Sequence, residues 1–311
     1  MSTIALVSSE LQALTLAEGL AAGRLASCTV RVLGPWRPDA ELSDLLSTTG
    51  EVRTLSVRDL GPLSTADVVI LGDAYSRLGG ALIMTRRPTR VVVLEDGAAT
   101  LRARRQVSRG APLRRVNRRG RVRSLESAET SFLLKLSEKN RLEWWLSDRH
   151  SPVRGVGEVW EHRFRRLRRA APLHTDDDVR RLVVGSALTS DGHLRSQAYE
   201  RWLRSIPVDG QTYFVPHRRE LSQHKKLVRG LGMSVLEPGV GIERAVCQMP
   251  ALAELHSLPT TPVLTVPIVR PDIDVHCTAL GATEWASAAS SSISELCSLV
   301  LNANRRSQDV G

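Results

Sequence analysis

Short apolar runs alternate with longer amphipathic segments along the chain. The clearest run, residues 91–94, holds three valines and a leucine and predicts a strand buried on both faces. Comparable strand signals in the first half of the chain fall at residues 3–7, 28–33, 52–57 and 67–71. Helical spacing separates them, as in the leucines that follow Ser8-Ser9. Alternation of this kind predicts an α/β fold with a parallel sheet covered on both faces.

The same pattern starts again after three consecutive acids, Asp176, Asp177 and Asp178. Strands are predicted in this second half at residues 181–188, 211–215, 233–236, 263–266 and 273–276. Neither half carries a complete GxGxxG or P-loop motif. By analogy of fold class, two Rossmann-like halves favour a GT-B-type architecture, in which the two domains face a central cleft. The predicted domains are residues 1–175 and residues 176–311.

The end of the first half is basic. Residues 102–123 hold ten arginines and no acid, and such a run repels itself, so we expect it not to pack as a core element. Residues 126–146 read as a helix that ends in Trp144-Trp145. The basic segment of the first domain is taken as residues 102–169.

Residues 156–169 predict an amphipathic basic helix. Its apolar positions recur at intervals of four, four and three residues: Val156, Trp160, Phe164 and Leu167. Five arginines lie around them in the sequence. A helix of this kind can lie on an anionic membrane surface. The alternative is that the apolar stripe packs on the domain and the arginines are solvated.

Composition narrows the class of protein. The 311 residues are 42% hydrophobic and 24% charged, as in globular proteins, and no apolar run reaches the roughly 18 residues that a spanning helix needs. The opening, MSTIALVSSELQAL, lacks the basic start and apolar core of a signal peptide. Four scattered cysteines without metal-like spacing predict reduced thiols in a cytoplasm. A net charge of +10 favours an anionic partner: nucleic acid, a membrane surface or an acidic substrate.

Two strand ends carry carboxylates beside glycine. The run at residues 91–94 ends in Glu95, Asp96 and Gly97, and the run at residues 67–71 ends in Gly72-Asp73. Carboxyl ends of parallel strands are where open α/β sheets place their sites, and adjacent residues on an extended backbone point to opposite sides. The alternatives are an ordinary polar strand end with a glycine turn, and a helix cap at Asp73.

His217 is the second chemical position. It follows the predicted strand 211–215 and is flanked by Arg218, Arg219 and Glu220. A histidine at a strand end is often structural. Here the neighbouring arginines make the position electropositive, which suits a phosphate group.

These motifs resemble those of a known family. LEDG, residues 94–97, looks like the paired-acid-and-glycine motif of bacterial sialyltransferases, and YFVPHRRE, residues 213–220, looks like their histidine motif. The segments VSSELQALTLAEGLAA and LGDAYSRLGG resemble the polysialyltransferase-like branch. The resemblance is weakest between residues 102 and 172. Arg218 stands where the family usually has a proline.

The resemblance implies an inverting, metal-independent glycosyltransferase without a cofactor, using CMP-sialic acid as donor and a surface glycan as acceptor. Asp96 would be the general base, Glu95 its support, and His217 the group that protonates or hydrogen-bonds the departing phosphate. Gly72, Asp73 and Gly97 would lie on the acceptor side. Glu243 would hold the ribose hydroxyl groups of the donor. Arg218, Thr260 and Thr261 would also bind the donor.

The family places a pair of small hydroxyl residues at the donor phosphate, and this chain offers two. Thr260-Thr261 has two hydroxyl groups between stiffening prolines, and Cys277-Thr278 has one hydroxyl group and lies further along. We expect Thr260-Thr261 to be the pair. A plain turn is the alternative for either.

Two other functions stay open. The arginines and the isoelectric point near 10.3 are compatible with nucleic-acid binding, but no recognised binding motif occurs, so no specific nucleic acid is expected. A GT-B protein that uses another nucleotide sugar is the second. The expected location is cytoplasmic, with peripheral contact to the inner face of the plasma membrane through residues 156–169.

Overall fold

The computed structural model describes residues 2–47, 52–54, 66–115, 123–147, 156–169, 178–287, 289 and 291–308. The chain divides into two compact units, Met1–Arg166 and Leu167–Gly311. The boundary predicted after residue 175 lies further along the chain. No helix among the described residues is both long and apolar enough to cross a lipid bilayer.

The first unit is a seven-stranded parallel sheet in the order β3-β2-β1-β4-β5-β6-β7. Its strands are β1 Thr3–Val7, β2 Thr29–Val32, β3 Val52–Thr54, β4 Val68–Leu71, β5 Arg90–Leu94, β6 Leu142–Leu146 and β7 Glu158–Glu161. Its helices are α1 Glu10–Ala21, α2 Ala40–Ser47, α3 Arg77–Arg86, α4 Ala98–Ser108 and α5 Arg123–Glu138, and α6 Arg165–Arg169 spans the point of division. The strand order reverses between β1 and β4, where such sheets place their sites.

The second unit is a five-stranded parallel sheet in the order β10-β9-β8-β11-β12. Its strands are β8 Arg181–Val184, β9 Thr212–Val215, β10 Ser234–Val235, β11 Glu254–Ser257 and β12 Asp274–Cys277. Its helices are α7 Ser196–Ser205, α8 Ser222–Gly230, α9 Ile242–Cys247, α10 Pro262–Val269 and α11 Ser291–Gln308, with a 3-10 turn at Ala282–Glu284. The two predicted Rossmann-like α/β units are therefore confirmed.

The centre of the first unit's core is the strand from which the sequence pattern was read. Residues 91–94 of β5 have no exposed surface, because β4 and β6 flank the strand and helices cover both faces. The carboxyl end of β5 is thereby fixed between two neighbouring strands.

The predicted helix at residues 126–146 is only partly correct. Helix α5 ends at Glu138, and Asn140 takes a left-handed conformation with φ of 54°, which stops the helix. Trp144 and Trp145 then lie fully buried on β6, because a central strand buries both faces.

The predicted amphipathic helix at residues 156–169 is wrong. Residues 158–161 pair with β6 as strand β7, and only residues 165–169 are helical. Val156, Phe164 and Leu167 are buried, whereas Arg163 and three arginines of α6 are exposed. Three of the four apolar residues of the predicted membrane contact are therefore inside the protein, and the fourth, Trp160, is half-buried. Contact through the arginines stays a prediction.

Two further predictions are corrected. The arginine run begins inside α4, where Arg102 and Arg104 are buried on a helix that packs through Ala103 and Val107. Residues 263–266, predicted as a strand, belong to α10, which begins with Pro262 at the first helical position and buries Val263, Leu264 and Val266. The fourth strand of the second unit is β11 instead, a mixed segment with His256 that the apolar pattern did not reveal.

Candidate active site

The two adjacent acids at the end of β5 point to different environments. Glu95 is 3% exposed, and its Oε2 accepts a hydrogen bond of 2.6 Å from the backbone N–H of Ser147. Asp96 is half-buried. The prediction that the two side chains point to opposite sides is confirmed. The Glu95 carboxylate lies in the interior, and the Asp96 carboxylate lies at the carboxyl end of the parallel strands.

A buried histidine accompanies Glu95. The Nε2 atom of His162 lies 3.5 Å from Glu95 Oε2, but the imidazole is fully enclosed, and burial lowers the pKa of His162 to about 3. Burial therefore outweighs the carboxylate, and the imidazole is neutral at pH 7. We conclude that the Ser147 N–H anchors Glu95 and that the contact between Glu95 and His162 is not a charged pair.

Asp96 is oriented from two directions. Its backbone N–H donates to Thr100 Oγ1 at 2.6 Å, which closes the turn into α4, and its Oδ1 accepts from Gln12 Nε2 at 2.9 Å. Gly97 is the N-cap residue of α4 and has φ of 61° and ψ of −131°, a conformation that glycine adopts without a Cβ penalty. Gly97 thus lets the backbone turn from β5 into α4, and Asp96 remains at the carboxyl end of the strand.

Gln12 is the residue that the sequence reasoning missed. It is 1% exposed near the start of α1, and its Oε1 accepts from the Ser8 N–H at 2.7 Å, so its amide N–H₂ faces Asp96. Its backbone N–H donates to the N-cap Ser9 at 3.4 Å. The Ser9-x-x-Gln12 spacing is that of a capping box, and this signal could have placed the amide at the end of β1.

Gly72 supports Gln12 rather than standing alone. A Cβ at Gly72 would lie 2.1 Å from Gln12 Oε1 and 2.7 Å from the Leu6 carbonyl oxygen. Only glycine permits this approach, so the ends of β1, β4 and β5 are connected through one amide. The predicted acceptor-side Gly72 and the predicted base Asp96 therefore belong to one arrangement.

Asp73 lies beside a small cleft. Its Oδ1 accepts from the Tyr75 N–H at 2.8 Å, and its Oδ2 pairs with Arg115 at 3.0 Å. Helix α3 is capped by Ser76, so the alternative of a helix cap at Asp73 is wrong. The cleft has a volume of about 220 Å³ at the ends of β1, β2 and β4 and is lined by Leu6, Ser8, Leu33, Gly34, Leu71, Gly72, Asp73 and Ser76. It therefore lies where the strand order of the first sheet reverses.

In the second unit, His217 lies just after β9 in a defined tautomer. Its Nδ1 accepts from the Arg219 N–H at 3.1 Å, which leaves the ring proton on Nε2. Burial, followed by the charges of Arg219 and Arg218, lowers the pKa of His217 to about 4. At pH 7 the ring is therefore a neutral donor through Nε2–H.

The His217 loop is anchored by Glu220, which the sequence reasoning noted only as a neighbour. The buried Glu220 carboxylate accepts from the Tyr199 hydroxyl at 3.1 Å and lies 2.8 Å from His224 Nδ1. A Cβ at Gly185, after β8, would lie 2.4 Å from Glu220 Oε2 and 2.8 Å from the backbone nitrogen of His217. The loop is thus packed directly on the end of β8. Arg218 itself is exposed.

Glu243 lies inside the second unit. It is 5% exposed on α9, and its Oε1 accepts from the Thr265 hydroxyl of α10 at 2.6 Å. Burial raises the pKa of this carboxyl group above its usual range. In this conformation one carboxylate oxygen is occupied by the protein itself.

The two hydroxyl pairs follow neighbouring strands. Thr260 Oγ1 lies 2.8 Å from Ser257 Oγ after β11, and Thr261 is the N-cap of α10 without a side-chain capping bond. Thr278 Oγ1, after β12, accepts from Trp202 Nε1 at 3.1 Å. The Thr278 hydroxyl therefore already accepts a hydrogen bond from within the second unit, whereas the Thr261 hydroxyl does not cap α10.

The predicted residues thus fall into two groups, one in each unit. Asp96 and Gly72 meet through Gln12 in the first, and His217 and Thr260 follow strands on either side of β8 in the second. Glu95 and Glu243 are enclosed, so they contribute through the residues they hold.

No protein-family model matches the sequence. No curated protein matches it either. Among solved structures, the chain is similar to Phytolacca americana UGT2 complexed with UDP-2fluoro-glucose and pterostilbene. The two share 9% identity with a TM-score of 0.47, over 98% of this chain and 92% of the other.

Proposed function

We propose that the protein is an inverting GT-B-type glycosyltransferase that transfers sialic acid from CMP-sialic acid to a hydroxyl group of a surface glycan. The observation that carries the proposal is the different placement of the two adjacent acids. Glu95 is locked inside, whereas Asp96 lies at the sheet edge with its carboxylate oriented by Gln12. An oriented carboxylate at the carboxyl end of a central parallel strand suits a general base.

In the proposed reaction, the Asp96 carboxylate takes the proton of the acceptor hydroxyl group while the oxygen of that hydroxyl group bonds to the anomeric carbon. The bond between that carbon and the CMP phosphate oxygen breaks, and its electron pair stays on the phosphate. Attack opposite the leaving group inverts the anomeric centre. Positive charge that develops on the sugar and negative charge on the phosphate are both stabilised by nearby fixed groups.

The histidine is proposed to act as a hydrogen-bond donor rather than an acid. Because the His217 ring is neutral with its proton on Nε2, it can donate to the departing phosphate without first being charged. The exposed guanidinium of Arg218 adds a cation beside it, which suits a phosphate.

Thr260 and Thr261 are proposed to bind the donor phosphate at the start of α10, where backbone N–H groups and the helix dipole favour an anion. Glu243 is proposed to hold the ribose hydroxyl groups, although its Oε1 accepts from the Thr265 hydroxyl.

Calorimetric titration with CMP, UDP and GDP tests the donor site. We expect CMP to bind best, and Thr260→Val with Thr261→Val to lose about 1.5–3 kcal/mol for each donor to the phosphate. The matched control is Cys277→Ala with Thr278→Val, which should keep CMP affinity but lower stability because Trp202 Nε1 loses its acceptor. Preferred binding of UDP would replace CMP with another nucleotide, and a large loss of CMP affinity in the control alone would move the phosphate to Cys277-Thr278.

A further inference from the structure

A polar cluster on the second sheet lies outside the residues assigned to the transfer reaction. Residues two apart on a strand share a face, so Glu254 and His256 project to one side of β11, and Asp274 and His276 to one side of β12. The parallel register pairs Glu254 with Asp274 and His256 with His276. Two imidazoles are therefore direct cross-strand neighbours, and a carboxylate precedes each of them by two residues.

The cluster is compact. The two histidine rings stack with centroids 4.5 Å apart and an angle of 21° between their planes. His256 Nε2 lies 3.2 Å from Glu254 Oε2, and His276 Nε2 lies 3.3 Å from Asp274 Oδ2. One ligand atom each of Glu254, His256 and His276 lies within 4.8 Å of the other two.

We propose that Glu254, His256 and His276 bind a divalent ion of the zinc class, with water completing the coordination. Two imidazoles and a carboxylate are ligands that zinc prefers, whereas calcium and magnesium prefer oxygen ligands alone. The site stabilises the pairing of β11 with the edge strand β12 and takes no part in the transfer reaction.

The required movement is small. Ligands bonded to one tetrahedral ion at about 2.1 Å lie roughly 3.4 Å apart. Because the three ligand atoms lie within 4.8 Å of one another, the widest pair must close by at most about 1.4 Å. The His276 side chain is 44% exposed and can rotate toward the better-buried His256.

The guanidinium group of Arg181 holds the Glu254 carboxylate in place. Arg181 of β8 donates to it through Nε at 2.8 Å and through Nη2 at 3.2 Å. Hydrogen bonds of this kind orient a metal-binding carboxylate from outside the coordination sphere.

Zinc chloride titrated into the full chain, after chelator treatment and removal of the chelator, tests the site. We expect His256→Asn with His276→Asn to bind one zinc ion fewer per chain than the unmodified protein, with an unchanged circular dichroism spectrum. The matched control is His150→Asn with His174→Asn, which removes two imidazoles that lie outside the described residues. Zinc should raise the unfolding temperature of the control protein but not that of the cluster variant.

Copper(II) bound to the same proteins gives an independent spectroscopic readout. The unmodified protein should show nitrogen hyperfine coupling from two imidazoles, and the cluster variant should lose it. Equal zinc stoichiometry and affinity in the cluster variant and the unmodified protein would overturn the proposal. So would a loss of zinc in the control variant alone. None of these measurements depends on transferase activity.

Discussion

At the scale of single residues, orientation separates two carboxylates that the sequence places side by side. Glu95 binds the Ser147 N–H inside the unit, and Asp96 accepts from the Gln12 amide at the edge. The amide can lie there because Gly72 has no side chain. A general base needs a fixed position more than a shifted pKa, since a small misplacement of reacting groups lowers the rate strongly.

Gly72→Ala is therefore expected to damage both stability and turnover. The added methyl group would lie 2.1 Å from Gln12 Oε1 and 2.7 Å from a backbone carbonyl that cannot move alone. Overpacking of this kind costs about 1–3 kcal/mol, and displacement of Gln12 loosens Asp96. Denaturant unfolding and turnover of the donor measure the two effects. Gly210→Ala, whose added methyl group meets no atom of the described residues within 4 Å, is the matched control. Equal behaviour of the two variants would contradict this role of Gly72.

The histidine is tested by two substitutions. The Gln side chain in His217→Gln keeps an N–H donor near the position of Nε2, whereas His217→Ala removes it. If the neutral ring donates a hydrogen bond, turnover should fall less in His217→Gln than in His217→Ala. Since the pKa of His217 is about 4, the ring is neutral from about pH 5 upward, and its protonation should alter turnover only below that. Equal loss in both variants, with a His217-dependent step near pH 7, would indicate proton donation instead.

At the scale of elements, the apolar pattern predicted strands β1, β4, β5 and β8, but it assigned the fully buried β6 to the end of a helix. It also failed where apolar and polar residues are mixed. Residues 91–94 were identified because every position is apolar. Strand β11 was missed because Glu254 and His256 alternate with buried residues, and α10 was taken for a strand because its apolar residues are continuous. Periodicity cannot separate a short buried helix from a buried strand.

The candidate site was predictable to a similar degree. The acid pair and the histidine stand next to strand ends, so local sequence was enough to find them. Gln12 and Glu220 act on residues that are distant in sequence or turned inward, and only the packed fold shows their partners. Tertiary packing also explains why the tryptophans lie on a strand and not on the predicted helix, since Trp145 packs against Gly19 of α1.

Helix α1 provides a test of this packing. A Cβ at Gly19 would lie 1.9 Å from the buried Trp145 ring, so Gly19→Ala should destabilise the protein by about 1–3 kcal/mol although alanine favours helices. Gly230→Ala, in α8, places its methyl group more than 4 Å from every atom in the described part of the chain, and it should instead be neutral or stabilise by up to about 1 kcal/mol. Thermal and denaturant unfolding measure both changes. Stabilisation by Gly19→Ala would show that Trp145 does not occupy this position.

At the scale of the whole molecule, each unit places its chemistry at the carboxyl ends of parallel strands. Asp96 follows β5 in the first unit, and His217 follows β9 in the second. The net charge of +10 suits a protein whose proposed donor is an anionic nucleotide sugar.

The most direct measurement is nucleotide release from a panel of CMP-, UDP- and GDP-sugars, with and without glycan acceptors. We predict acceptor-dependent release of CMP from CMP-sialic acid and an inverted linkage in the product. Asp96→Asn should lower turnover by about 10² to 10⁴ while CMP affinity is kept, and Glu95→Gln should be milder. Release from a UDP-sugar only, or near-normal turnover in Asp96→Asn, would contradict the account.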